Sequence, residues 1–328
     1  MRDSNPGWQQ ILAQGFNDAS QLLTFLNLPV TKGSPVAEKQ FKTRVPRGFA
    51  ARMQIGNPQD PLLLQVLAVN DELVLSEDYV SDPLDETASN RIPGLIHKYK
   101  NRVLLTVTGA CAVHCRYCFR RHFPYQDNNP GRAGWQLVLD YIANDPNIHE
   151  VILSGGDPLL AKDTILFDLI SQLTIIPHLK TLRFHSRIPV VLPERVDDHF
   201  IKQFTSIPLN KVMVLHVNHP QELDKSVADA CMRLANAGCH LLNQSVLLAR
   251  VNDKPETLAQ LSYRLFDCGV LPYYLHLLDK VQGAAHFDVS DSRALTIFQV
   301  LQTLLPGYLL PRLVREDAGK HHKTLISV

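Results

Sequence analysis

Three of the six cysteines in this chain fall within eight positions of "CAVHCRYCFRRHF" (111–123), as Cys111, Cys115 and Cys118. Thiolates grouped as C-x3-C-x2-C are metal ligands before they are anything else. A structural zinc site closes with four ligands, commonly as two C-x2-C pairs. The local candidates for a fourth ligand are His114 and His122, and neither completes such a pairing. An iron–sulfur cluster also normally takes four thiolates, so three would leave one iron open to a ligand that is not protein. Cys231, Cys239 and Cys268 stand singly in helical or helix-end contexts and read as buried structural residues.

The elements that must position this group change character along the chain. Up to about residue 95, "WQQILAQGF", "ASQLLTFLNL" and "GNPQDPLLLQVL" read as short helices broken by turn signals. "SDPLDETASNRIPGL" (81–95) reads as a connecting segment. Beyond it, strands are expected at 102–108, 150–154, 181–186, 211–217, 241–248 and 272–278. Helices are expected near 134–144, 164–174, 194–205, 221–237, 255–267 and 291–304. Recurrence at about 30 residues is the length of a βα unit. The fold class is therefore α/β, with an N-terminal helical region (1–95) and a catalytic domain (96–328) built as a full or partial parallel barrel. Active residues are expected at the carboxyl ends of its strands, and the cysteine group sits just past the first.

Composition narrows the setting. The chain has 328 residues, 45% of them hydrophobic, and a formal net charge of +1. Nothing in that balance suggests a surface that coats nucleic acid. The N-terminus lacks an apolar export segment, and no run of apolar residues is long enough to span a membrane. A soluble, cytoplasmic protein is expected, with reduced cysteines.

A three-cysteine group of this spacing after the first barrel strand resembles the radical S-adenosylmethionine (SAM) superfamily, whose [4Fe–4S] cluster uses its open iron to bind SAM. Tyr117, before the third cysteine, and "SGGDPL" (154–159), after the second strand, agree with that pattern. "PGLIHKYKNRVLL", "CRYCFRRHF", "HVNHP", "NQSVLL" and "DKVQGAAHF" narrow the resemblance to the lysine 2,3-aminomutase family. Within it, the chain is similar to the branch that makes β-lysine for modifying elongation factor P. The match runs in one order from about residue 40 onward.

The resemblance implies a partial (βα)6 radical SAM barrel with a short C-terminal strand, and a 2,3-amino migration on L-lysine that uses pyridoxal phosphate (PLP) as well as SAM. It implies cluster ligation by Cys111, Cys115 and Cys118, and SAM contacts from Gly155, Gly156, Asp157, His216 and Gln244. Lys323 corresponds to the lysine that carries PLP, with Lys320 as competitor, and Lys98 and Arg102 correspond to the phosphate cations. Arg120 matches the position that holds the substrate carboxylate. Asp279 and Glu316 match those that hold its ε-ammonium, Glu316 replacing the usual aspartate. Arg116 and Arg121 have no assigned role.

Plain structural readings stay open beside these: surface charge for Lys98 and Arg102, satisfied barrel-mouth residues for His216 and Gln244, and a rim pair with Lys280 or Arg293 for Asp279. An external electron donor and a downstream β-lysine ligase acting on elongation factor P are the implied partners, with no nucleic acid or membrane. The chain ends five residues after Lys323, so the assembly extension of longer members is not expected. Two other classes remain: a radical SAM enzyme acting on another amino acid or without PLP, and a zinc-stabilised binding module.

Overall fold

A computed structural model describes residues 7–125, 128 and 131–327, side chains excepted at 87, 88, 132 and 133. The first six residues of the amino-terminal segment read above lie outside them. Ten strands form one sheet in sequential order: β1 (Asn90–Ile92), β2 (Leu95–Tyr99), β3 (Arg102–Thr108), β4 (Glu150–Gly155), β5 (Thr181–Ser186), β6 (Asn210–His216), β7 (Cys239–Val246), β8 (Leu271–His276), β9 (Arg312–Arg315) and β10 (Thr324–Leu325). Strands β3 to β9 are parallel throughout. An antiparallel strand pair extends one edge, and β10 lies antiparallel on the other.

The six expected barrel strands all form, each within two residues of its expected ends at most. Their apolar runs are long enough for a strand and too short for a helix, and a parallel sheet covered by helices buries both faces. The crossover helices are Gly131–Asn144, Asp163–Leu173, Asp198–Thr205, Lys225–Asn236, Pro255–Asp267 and Asp291–Leu304. Their starts follow local chemistry. The Asp224 side chain caps the fourth by accepting from Val227 N at 3.0 Å, and Pro255 opens the fifth at its first position.

Two parts differ from expectation. The segment 81–95, read as a connector, contains a helical turn (Glu86–Ser89) and most of the β1–β2 hairpin. Pro93-Gly94, with φ +83° at Gly94, is a tight-turn signal that can join strands as well as end them. The seventh parallel strand, β9, is only "RLVR", too short and too charged to register as an apolar run.

The N-terminal helices do not stand apart. Leu22, Leu23, Leu62, Leu63 and Val66 belong to one apolar core with the barrel residues Val103, Leu153, Phe184 and Met213. This region also grips the cysteine loop. Arg116 N donates to Gln65 O at 2.9 Å, and His114 N to Arg44 O at 3.0 Å. The Arg116 guanidinium is fully buried and reaches both oxygens of Glu72, at 2.8 and 2.5 Å, while Arg121 adds a contact to Glu72 at 2.8 Å. The two arginines left without a role by sequence therefore anchor the loop.

Removing one member of a buried ionic group strands its partners, at a cost of about 3–5 kcal/mol. Glu72→Ala should accordingly lower unfolding free energy in denaturant by about that amount, and iron content should fall with it as the loop loosens.

Candidate active site

A cavity of about 630 Å³ opens at the carboxyl ends of the parallel strands and runs inward past Leu104, Ile152 and Val214. Its size is that of a site for cofactors and small substrates. Around it lie Cys111, Cys115, Cys118 and Arg120 after β3, Ser154 to Asp157 at β4, and His185 to Arg187 at β5. His216, Gln244, His276 and Asp279 line it from β6, β7 and β8, and Glu316 and Lys323 from the tail. All fourteen expected site residues reach this one cavity. Lys320 does not line it, and instead pairs at the surface with Asp317, 2.8 Å away.

The three loop cysteines are free and half-buried. They are electrostatic neighbours, and burial followed by that proximity raises Cys111 well above the usual thiol range and Cys118 to about 12. Cys111 and Cys118 stay protonated until a cation displaces the protons. Arg187 donates from Nη1 to Cys115 Sγ at 2.8 Å, and is held by Glu222 at 2.9 Å and Gln65 at 2.7 Å. Among the described residues no trio of His, Cys, Asp or Glu closes around a single-ion point. The two histidines weighed as fourth ligands are engaged elsewhere. His114 Nδ1 lies 2.7 Å from Lys42 O, and His122 Nε2 lies 3.2 Å from Gln282 O. This donor set suits a cluster with an open corner.

The Gly-Gly turn is dictated by close approach. A side chain at Gly156 would meet Ala110 O at 2.3 Å, and Gly155 sits at φ +115° against Thr108 O. Gly156 N and Asp157 N donate to Thr108 O and Ala110 O, each at 2.8 Å, so the turn is bolted to the start of the cysteine loop. The Asp157 carboxylate accepts from Ser186 Oγ, Arg187 N, Leu159 N and Ile188 N at 2.8–3.2 Å. Burial outweighs those donors and lifts its carboxyl to about 6. His216 stacks on Tyr117 with Nε2 3.0 Å from its hydroxyl, and burial, then Arg187, hold the imidazole at about 3, hence neutral. The Gln244 amide has no hydrogen-bond partner among the described residues and lines the cavity.

The inner end is organised by Glu316. One oxygen accepts from Lys98 Nζ at 2.7 Å and Tyr99 OH at 2.9 Å, and the other pairs with Lys323 Nζ. Burial alone would raise this carboxyl, but Lys323 and Lys98 hold it down at about 2. Lys98 is therefore paired with Glu316, not idle surface charge. Arg102 stacks on Tyr99, its guanidinium carbon 3.8 Å from the ring centroid. The Asp279 carboxylate has no such partner among the described residues; Lys280, its alternative mate, pairs with Asp78 at 3.1 Å. Burial, then the charge of Glu316, pushes Asp279 up to about 7. Among the described residues His185 and His276 each bury Nε2 without a partner. Burial keeps both neutral, His276 at about 3. Unsatisfied ring nitrogens beside a lysine are what a polar ring cofactor such as PLP would complete.

Sequence reasoning missed His185 and Arg187. It named residues at the ends of five expected barrel strands and none at β5. The strand-end rule applied there would have found both in "FHSRIP".

A cysteine trio on the loop after the first parallel strand, facing a barrel-mouth cavity, defines a radical SAM enzyme. A family model described as a 4Fe-4S single cluster domain matches residues 100–180. The chain is 51% identical over 320 residues to an L-lysine 2,3-aminomutase of Haemophilus influenzae, covering 97% of this chain and 95% of that one. It is 50% identical over 324 residues to one of Escherichia coli K12, with 98% and 94% covered. A third, from Clostridium subterminale, is 33% identical over 323 residues, with 97% and 77% covered. The chain belongs to the L-lysine 2,3-aminomutase family. Its cofactors are a [4Fe–4S] cluster, SAM and PLP.

Alanine at Cys111, Cys115 or Cys118 should abolish iron binding, while alanine at Cys231, Cys239 or Cys268 should leave iron per chain unchanged by metal analysis. Borohydride treatment should fix PLP to the parent and to Lys320→Ala but not to Lys323→Ala, read by mass of the modified peptide.

Proposed function

We propose that the chain moves the α-amino group of L-lysine to the β-carbon, forming β-lysine. The observation that carries this reading is the shared cavity: the free cysteines Cys111, Cys115 and Cys118, Arg120, the acids Asp279 and Glu316, and the lysines Lys98 and Lys323 all line it. The names of its relatives agree. In this reading Cys111, Cys115 and Cys118 hold the cluster, and Gly155, Gly156, Asp157, His216 and Gln244 surround SAM. Lys323 carries PLP, with Lys98 and Arg102 toward its phosphate. Arg120 takes the lysine carboxylate, and Asp279 and Glu316 take the ε-ammonium.

When bound, the cluster and SAM supply a radical able to take hydrogen from an unactivated C–H bond, and PLP supplies the π-system across which nitrogen migrates. The chain's own work is orientation and exclusion. Arg120 and the acid pair hold opposite ends of the substrate, which fixes the β-carbon along the cavity axis. Apolar and aromatic walls, including Ile96, Val214 and Tyr274, keep water from the reacting centre. His185, His216 and His276 line it as neutral polar groups. Lys323 alone holds one Glu316 oxygen, while Lys98 shares the other with Tyr99, so turning Lys323 toward PLP frees a carboxylate oxygen for the substrate ammonium.

The reading extends to supply of β-lysine to a ligase that modifies elongation factor P, to an external electron donor, and to a cytoplasmic setting. Six free cysteines suit a reducing compartment, and no described helix is long and apolar enough to cross a membrane. The branch assignment is supported by the motifs and by the higher identity to the Haemophilus and Escherichia relatives than to the clostridial one. Anaerobic incubation with lysine, SAM and dithionite should yield β-lysine with the parent and none with Cys115→Ala. Absence of β-lysine from iron-replete, PLP-replete parent would overturn the activity.

The Asp279 carboxyl titrates near 7, whereas the lysine ammonium stays charged to about pH 10. Below pH 7 Asp279 is neutral and cannot pair; above it the pair forms. Preference for lysine over norleucine, which lacks the ammonium, should rise about tenfold from pH 6 to pH 8. Asp279→Asn should flatten that rise, measured as binding to the holoenzyme without reductant.

A further inference from the structure

Arg120 is already occupied. Its Nε and Nη2 donate side-on to the two oxygens of Glu86, at 2.7 and 2.6 Å, and both side chains are nearly buried, 10% and 12% exposed. Nη1 donates to Ser154 Oγ at 3.3 Å, and the guanidinium carbon lies 4.9 Å from the Phe119 ring centroid. Glu86 and Arg120 both line the cavity. The two-bond, side-on geometry is the one in which arginine takes any carboxylate, including that of an amino acid. Glu86 comes from a four-residue helical turn, Glu86–Ser89, in the segment ahead of the β1–β2 hairpin. The flanking Asp85 is exposed, and Glu86 N donates to Asp82 Oδ1 at 3.2 Å.

We propose that Glu86 is an internal stand-in for the substrate carboxylate: it neutralises Arg120 while the site is empty and is displaced when lysine enters. The proposal rests on the reading of Arg120 as the carboxylate holder. Its physical basis is charge conservation in a poorly solvated place. An unpaired buried guanidinium is costly, so exchanging one carboxylate for another keeps Arg120 paired in both the resting and the occupied site. Glu86 then sets affinity by competition, because lysine binds only the fraction of molecules in which Arg120 is released. Ser154 and Phe119 keep the guanidinium in place during the exchange. Molecules without a carboxylate cannot displace Glu86, so the same exchange selects for amino acids over amides and amines.

The test compares lysine with lysinamide, which lacks the carboxylate, on holoenzyme without reductant, following PLP absorbance. Glu86→Gln should tighten lysine binding about tenfold, as expected if the competitor holds Arg120 in roughly nine molecules of ten, and leave lysinamide unchanged. Unchanged or weaker lysine binding would overturn the stand-in role and make Glu86 a fixed support of Arg120. Arg120→Lys separates the two readings. Loss of the lysine-over-lysinamide preference in Arg120→Lys, with no gain in Glu86→Gln, rejects Glu86 alone; survival of the preference in Arg120→Lys rejects Arg120 as well. Hydrogen exchange on the unaltered protein needs no variant: lysine, but not lysinamide, should speed exchange of amides in 82–90, and equal exchange with both ligands would also reject the proposal.

Discussion

The sheet's backbone ladder runs in order from β1 to β10, with no pairing recorded between those two edges among the described residues. The edges meet instead across one carboxylate. Glu316, just past β9, takes Lys98 and Tyr99 from β2 on one oxygen and Lys323 from the tail on the other. His321 Nδ1 adds a contact to Lys98 O at 2.6 Å. An ionic clasp differs from a strand pair in a useful way. Its components can change partners, so the inner wall is closed by groups that also line the cavity and that the proposed function turns toward PLP and substrate. The same carboxylate that joins the two edges is, in the proposed function, the charge offered to the lysine ammonium.

A second ionic group does the corresponding work at the other end of the cavity. Glu72 binds Arg116 and Arg121, and Glu222 binds Arg187, which reaches Cys115. Buried ion pairs add little net stability over apolar packing, because desolvation offsets attraction. Their value here is positional. Arg116 is fixed by a planar, two-bond match to Glu72 that tolerates little displacement, Arg121 and Arg187 add one carboxylate bond each, and the cysteine loop inherits that precision largely from the N-terminal region. That region therefore belongs to the site, although it brings no expected ligand of its own.

The barrel was legible because its strands are apolar runs of the right length, separated by amphipathic helices. The cysteine loop was legible because spacing alone exposes a missing fourth ligand. Less visible was anything that depends on partners distant in sequence. The arginines of "CRYCFRRHF" look alike on paper; the family resemblance singles out Arg120, but the anchoring work of Arg116 and Arg121 follows only from the position of Glu72. Glu86 was hidden in a segment rich in turn-formers, where an acid looks like solvated surface. β9 was hidden by its brevity. His185 and Arg187 were accessible in principle, since strand ends are where this architecture places chemistry, but no motif drew attention to them.

The turn at Gly155 and Gly156 is joined to the start of the cysteine loop by peptide groups, with no side chain between them. That spacing is set by main chain packed too closely for any side chain at Gly156, where a Cβ would meet Ala110 O at 2.3 Å, so a substitution there would force the two loops apart instead of tuning the gap. The separation between the metal-binding loop and the turn that follows β4 is thus shielded from mutational drift. Side chains farther along the cavity remain free to diverge, so new substrates can be explored at the inner end while the outer end keeps its dimensions.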